Sequence, residues 1–141
     1  VGVVGRFPFI PQLSQVAARV EVFERDPQTG FALTPERAAR LAACDVLCIT
    51  ATALVNRTLD GLLQAARPDS WKLLVGPSAP LCREALDLGF AAVCGARVMA
   101  AEPVVRVIQE GGCFQQIRKT GAVRLLTLEA EARPGRPAET T

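Results

Sequence analysis

The sequence predicts an α/β domain of three layers, with helices on both faces of a mostly parallel sheet of five or six strands. Two observations carry this. Short apolar runs alternate with amphipathic stretches along the chain, which is the pattern of βαβ units. The run Asp45–Thr50 is nearly all apolar, as a strand covered on both faces has to be. A chain of 141 residues, 50% hydrophobic and 21% charged, has the size and composition of one folded domain, because domains cluster at roughly 100–150 residues.

The elements follow in order. Val1–Val4 reads as the first strand, broken by Gly5 and the turn around Pro8 and Pro11. Gln12–Arg19 reads as a helix with Leu13, Val16 and Ala17 along one face. Val20–Phe23 is the second strand, ended by Glu24-Arg25-Asp26-Pro27. Thr34-Pro35 opens the next helix, with a hydroxyl N-cap and then Pro where a missing N–H costs nothing. Asp45–Thr50 is the third strand and Arg57–Ala66 its helix, stopped near Pro68. Lys72–Val75 is the fourth strand, followed by a segment too rich in proline to extend it. Leu81–Leu88 is a short helix, Ala91–Cys94 a fifth strand, and Glu102–Glu110 a helix closed by Gly111-Gly112. Val123–Leu128 fits an edge strand, so the domain is expected to occupy residues 1–128. Residues 129–141, with Pro134, Gly135 and Pro137 among charges, are expected to form a disordered tail. The expected strand order is 3-2-1-4-5.

Composition excludes several functions. The net charge of +2 is small, and Arg19, Arg25, Arg37, Arg40 and Arg57 are scattered without interleaved aromatics, which argues against nucleic acid. No apolar run reaches the roughly 20 residues of a membrane helix. Five cysteines, an odd number in a chain able to fold without staples, favour free thiols in a reducing cytoplasm. The chain begins directly in a strand without Met, which is read as a fragment lacking an N-terminal part.

In open parallel sheets, ligands bind beyond the carboxyl ends of the strands, near the point where strand order reverses. In a Rossmann-like sheet, those places are filled here by Gly5 and Arg6, Glu24 and Arg25, Thr50 and Thr52 with Asn56 and Thr58, Gly76 and Ser78, and Gly95. Each alone is ordinary turn chemistry; their coincidence at one sheet edge points to a pocket. Thr50, Thr52, Asn56, Thr58 and Ser78 offer hydrogen bonds to a polar ligand, although Asn56 or a residue just after it also suits the cap of the following helix. Arg6 and Arg25 could clamp an anion bidentately; an ion pair with Glu24 or Asp26 is the competing and cheaper explanation. Gly5, Gly76 and Gly95 would allow close backbone approach.

A dinucleotide fingerprint needs Gly-x-Gly-x-x-Gly opening a helix. The chain has Gly2-x-x-Gly5 followed by prolines, which argues against NAD or FAD. There is no histidine, hence no Ser/His pair, and Cys44-x-x-x-Cys48 is not a zinc-knuckle spacing. A metal would have to be held by Glu24, Cys82 or Cys94 with help from another domain.

Four ordered motifs carry a resemblance: Val-Gly-Val-Val-Gly-Arg-Phe-Pro-Phe at 1–9, Val-Phe-Glu-Arg at 22–25, Ile-Thr-Ala-Thr-Ala-Leu-Val-Asn-Arg-Thr-Leu at 49–59 and Val-Gly-Pro-Ser-Ala-Pro-Leu at 75–81. From about Val1 to Gly112 the chain resembles the C-terminal Rossmann-like domain of the heavy-metal chelation family, formerly a domain of unknown function. The resemblance implies an N-terminal domain like the N-terminal part of enolase, with the proposed active site in the cleft between the two. It also implies a metal ion as a candidate cofactor. Ala51 departs from the glycine common in the family's Thr-x-Thr segment.

The expected function is binding of a small polar or anionic ligand, metal or metal chelate at the strand ends, in a cleft completed by the N-terminal domain. Glu24 and Arg6 would supply charge. The rivals are a nucleotide- or methyl-donor-dependent enzyme using the same crevice, and a structural module forming a homodimer.

Overall fold

The computed structural model describes residues 1–24 and 32–131. Its elements are β1 (Gly2–Val4), α1 (Ile10–Val16), β2 (Glu21–Phe23), α2 (Pro35–Ala42), β3 (Val46–Thr50), α3 (Thr52–Val55), α4 (Leu59–Ala65), β4 (Trp71–Val75), α5 (Arg83–Asp87), β5 (Ala92–Val98), α6 (Ala101–Gln109), α7 (Phe114–Lys119) and β6 (Val123–Glu129). The six strands form one sheet in the order β2-β1-β3-β4-β5-β6. All neighbours run parallel except β6, which is antiparallel to β5.

The three-layer α/β class is therefore as expected, but the order 3-2-1-4-5 is corrected. β3 lies between β1 and β4 rather than outside β2. The reason is burial: Leu47, Cys48 and Ile49 are all buried, so β3 belongs in the middle of the sheet, where helices cover both faces. β2 is only three residues long and exposes Val22, which suits an edge. Glu21 of β2 pairs with Arg40 of α2, whose guanidinium lies 5.6 Å from the centre of the Phe23 ring.

The chain moves outward from β1 to β2 and then back past β1 to β3. With right-handed crossovers, that reversal puts α1 on one face and α2, α4 and α5 on the other. The second face holds the main core, where Val4, Phe23, Leu47, Ile49, Leu74 and Val93 of the strands pack against Leu41, Leu59, Leu62 and Ala85 of the helices. Gly2 belongs to this packing, since a Cβ there would stand 2.6 Å from Leu47 Cδ2 and 2.9 Å from Cys44 Sγ.

Element boundaries differ where pairing or capping overrides local pattern. α1 starts at Ile10, earlier than expected, because Pro11 occupies its first turn; Val16, expected on its apolar face, is exposed. β5 continues past Cys94 to Val98 because β6 pairs with it residue for residue, from Ala92–Glu129 to Val98–Val123. β6 includes Glu129, and the Ala130 amide donates to the Ala91 carbonyl at 3.0 Å. The expected disordered tail otherwise lies outside the described residues, as do Arg25 and Asp26. Among the described residues no helix is long and apolar enough to cross a membrane.

Candidate functional site

The reversal in strand order falls between β1 and β3, and a cavity of about 410 Å³ lies at the carboxyl ends of these two strands. Gly5, Thr50, Thr52, Asn56 and Thr58 line it. Gly5 leaves β1 at φ +110, a conformation that side-chain-bearing residues rarely adopt, and its amide donates to the Phe23 carbonyl at 3.0 Å. A Cβ on Gly5 would meet Thr50 Cβ at 3.1 Å, so the glycine also lets β1 pass close to the Thr50 side chain.

The hydroxyls are organised among themselves. Thr50 Oγ1 and Thr52 Oγ1 share a hydrogen bond of 3.0 Å, and the Thr52 amide donates to Thr50 Oγ1 at 3.4 Å. Beyond the single turn α3, Arg57 adopts a left-handed conformation (φ 57) that swings the chain into α4. Asn56 Oδ1 then accepts from the Thr58 hydroxyl at 2.7 Å and from the Thr58 amide at 3.3 Å. Thr58 occupies the N-cap position of α4, so Asn56 braces the cap rather than forming it. Hydroxyl and amide oxygens here can turn toward a polar ligand without breaking the sheet.

Arg6 and Glu24 pair with each other. Arg6 Nη2 lies 2.9 Å from Glu24 Oε2 and Nε lies 3.3 Å from Oε1. This contact, first as a hydrogen bond and then as charge, raises the Arg6 pKa further above its ordinary value. The side chains are 83% and 45% exposed, so the pair is solvated and screened. The ion-pair reading of Arg6 is the one realised, which leaves the guanidinium engaged unless a ligand competes for it.

Gly76, Ser78 and Gly95 belong to a different place. Gly76, at φ +153, sits against Ala51, whose Cβ would lie 3.2 Å from an added Cβ. A Cβ at Gly95 would meet the Ala79 carbonyl at 2.8 Å, so its close approach is to the chain's own β4–α5 turn. Ser78 is exposed on that turn. Gly76 and Gly95 border a second, larger cavity of about 680 Å³, together with residues that sequence reasoning missed: Phe7, Phe9, Phe114, Arg118 and Lys119. The signal available was Phe7-Pro8-Phe9, an aromatic run placed at a strand end.

The donor set does not fit a bare metal ion. Among the described residues no three His, Cys, Asp or Glu side chains come together. Glu24 is committed to Arg6, and burial pushes the Cys48 thiol up to about 11, away from the thiolate a metal needs. Cys82 and Cys94 are half-buried and form no disulfide, and Cys94 Sγ accepts a long hydrogen bond from the Thr127 hydroxyl at 3.8 Å.

Comparison with known families matches the chain to the model of the family DUF364, described as "Putative heavy-metal chelation", over residues 1–127. The chain belongs to this family. Two solved DUF364 proteins, both of unknown function, share the fold. One, from Desulfitobacterium hafniense DCB-2, is 26% identical with a TM-score of 0.70; the match covers 92% of this chain and 52% of that one. The other, from Pyrococcus horikoshii, is 21% identical with a TM-score of 0.73, covering 92% and 53%. This DUF364 chain thus spans about half the length of either. No curated protein matches it.

Proposed function

We propose that this DUF364 domain holds a small polar or anionic ligand at the β1/β3 switch point, and that a metal enters as a chelate rather than as a bare ion. The observation that carries this reading is the cavity of about 410 Å³ bordered by Thr50, Thr52, Asn56 and Thr58. Its size is within the range of small-molecule sites, and its polar groups converge from two loops. A chelate brings its own donor atoms, so the protein needs only hydrogen bonds to carboxylate or phosphate oxygens. Hydroxyls and amides supply these, and a cluster of cysteines or acids is unnecessary. The family description supports a metal-linked ligand.

The site is completed, in this reading, by a second domain resembling the N-terminal part of enolase. The support is that the chain accounts for only 52% and 53% of its solved relatives. Arg6 would exchange Glu24 for the ligand's charge as that cleft closes.

Calorimetric titration of the protein with nickel citrate, citrate and aqueous Ni²⁺ tests the proposal. Citrate or its nickel chelate is expected to bind saturably. Thr52→Val, which keeps the shape and removes the hydroxyl, should weaken binding by about 10-fold, the value of one hydrogen bond to a charged group. Stoichiometric binding of aqueous Ni²⁺ that Thr52→Val leaves untouched would overturn the reading, as would heatless mixing with all three.

A further inference from the structure

The larger cavity points to a second kind of ligand. It opens on the α1 face of the sheet, over the ends of β4 and β5, and shares no lining residue with the switch-point cavity. Its walls are aromatic. Phe7 and Phe9 stack on each other with ring centres 4.9 Å apart and planes inclined by 19°. Phe114, at the start of α7, also lines it, so three of the chain's six phenylalanines border one cavity. Val75 and Cys94 line it from the sheet, and Leu125 and Thr127 from β6. Leu125 is 53% exposed, which leaves this apolar surface uncovered.

Among the described residues the charged groups of this cavity are of one sign. Arg118 and Lys119 end α7 beside the aromatic wall, and among the described residues no acidic side chain lines the cavity. Among the described residues neither cation forms a hydrogen bond or ion pair, whereas Arg6, Arg67 and Arg106 each hold a carboxylate. An apolar slot of about 680 Å³ has the volume of a small-molecule site. Stacked rings favour a flat partner, and two uncompensated cations favour an anionic group on it.

We infer that this cavity binds a flat aromatic molecule carrying an anionic group, with the ring system against Phe7, Phe9 and Phe114 and the anion at Arg118 and Lys119. The inference goes beyond the polar-ligand site at the switch point and does not depend on it. A peptide or a second copy of the chain fits less well, because the cations stand together at one place and the aromatic surface is recessed rather than flat.

The test uses 8-anilinonaphthalene-1-sulfonate and its uncharged counterpart N-phenyl-1-naphthylamine, followed by fluorescence, with the melting temperature of every variant measured in parallel. The sulfonate is expected to bind saturably, one per chain. The double variant Arg118→Gln with Lys119→Gln, altering only exposed side chains, should weaken the sulfonate by about 10-fold and leave the uncharged dye unchanged. Gln115→Glu, which brings a carboxylate to the cations, should act in the same direction. Phe9→Ala should weaken both dyes. Equal sulfonate affinity in wild type and both charge variants would overturn the inference, because the dye would then report only general apolar surface. Sedimentation showing a dimer that Leu125→Glu abolishes and that the sulfonate does not dissociate would also overturn it, by assigning the cavity to an interface between copies.

Discussion

Cys48 and Cys113 sit in opposite electrostatic settings. Burial in the middle of β3 pushes the Cys48 thiol up to about 11, with the neighbouring Cys94 adding to the shift. At the start of α7, the Gln116 amide and then the Gln115 amide point at the exposed Cys113 sulfur and lower its pKa. Alkylation with iodoacetamide across pH 6–9 should therefore modify Cys113 first, with its rate rising at a lower pH than for an ordinary thiol. Cys48 should react only after denaturation; peptide mapping of the alkylated protein checks both. Cys48 also links stability to pH. The unfolded thiol ionises near ~8.5, while the folded one keeps its proton until about 11. Between those values the native state binds more protons, so this contribution is complete below the first value and is lost as pH rises toward the second. Urea midpoints measured from pH 7 to 10 should fall, and Cys48→Ala should flatten the fall. At this scale the sequence was informative about where Thr50, Thr52, Asn56 and Thr58 lie, because residues that follow an apolar strand of a parallel sheet fall at its carboxyl edge. It offered two readings of Arg6, an anion clamp and an ion pair with Glu24 or Asp26, and the choice depends on how two loops meet in space.

Among the helices, α2 shows how a short local signal fixes an element. Thr34 adopts an extended conformation, its hydroxyl accepts the Arg37 amide at 3.3 Å, and Pro35 follows. Thr34→Ala should cost about 1 kcal/mol, measured by chemical denaturation, and Thr34→Ser should restore most of it. That cap was legible from Thr34-Pro35 alone. α7 was not, because its capping pair is Cys113 with Gln116, whose Oε1 accepts the Cys113 amide at 2.7 Å. Cysteine is not among the residues that announce a helix start. The single turn α3 is too short to show periodicity, and it is held by the Ala51 amide donating to the Val75 carbonyl, a partner more than twenty residues away.

For the molecule as a whole, the alternation of apolar runs and amphipathic stretches was enough to specify layers, parallel strands and helices on both faces. It did not specify order, since right-handed crossovers are compatible with more than one doubly wound arrangement. The placement of β3 was nevertheless implicit in its composition, as the strand that could least tolerate an edge. Leu47, fully buried as its second residue, packs in the core that joins β1, β3 and α2. Leu47→Ala should cost about 2–5 kcal/mol, a large share of a typical domain's ~5–15 kcal/mol. The loss should appear as a lowered urea midpoint with an unchanged slope.

The antiparallel course of β6 has a geometric consequence for anything joined to this domain. β1 starts at the amino edge of the parallel strands, and β6 ends there too, with Glu129 beside Ala92 and Ala130 tied to Ala91. Both switch-point and aromatic cavities lie toward the opposite edge. Polypeptide attached before Val1 therefore departs from the rear of the sheet. To overhang either cavity it must first travel the length of a strand, ~17 Å for five residues, so a flanking segment reaches the ligand edge by wrapping round a side of the sheet.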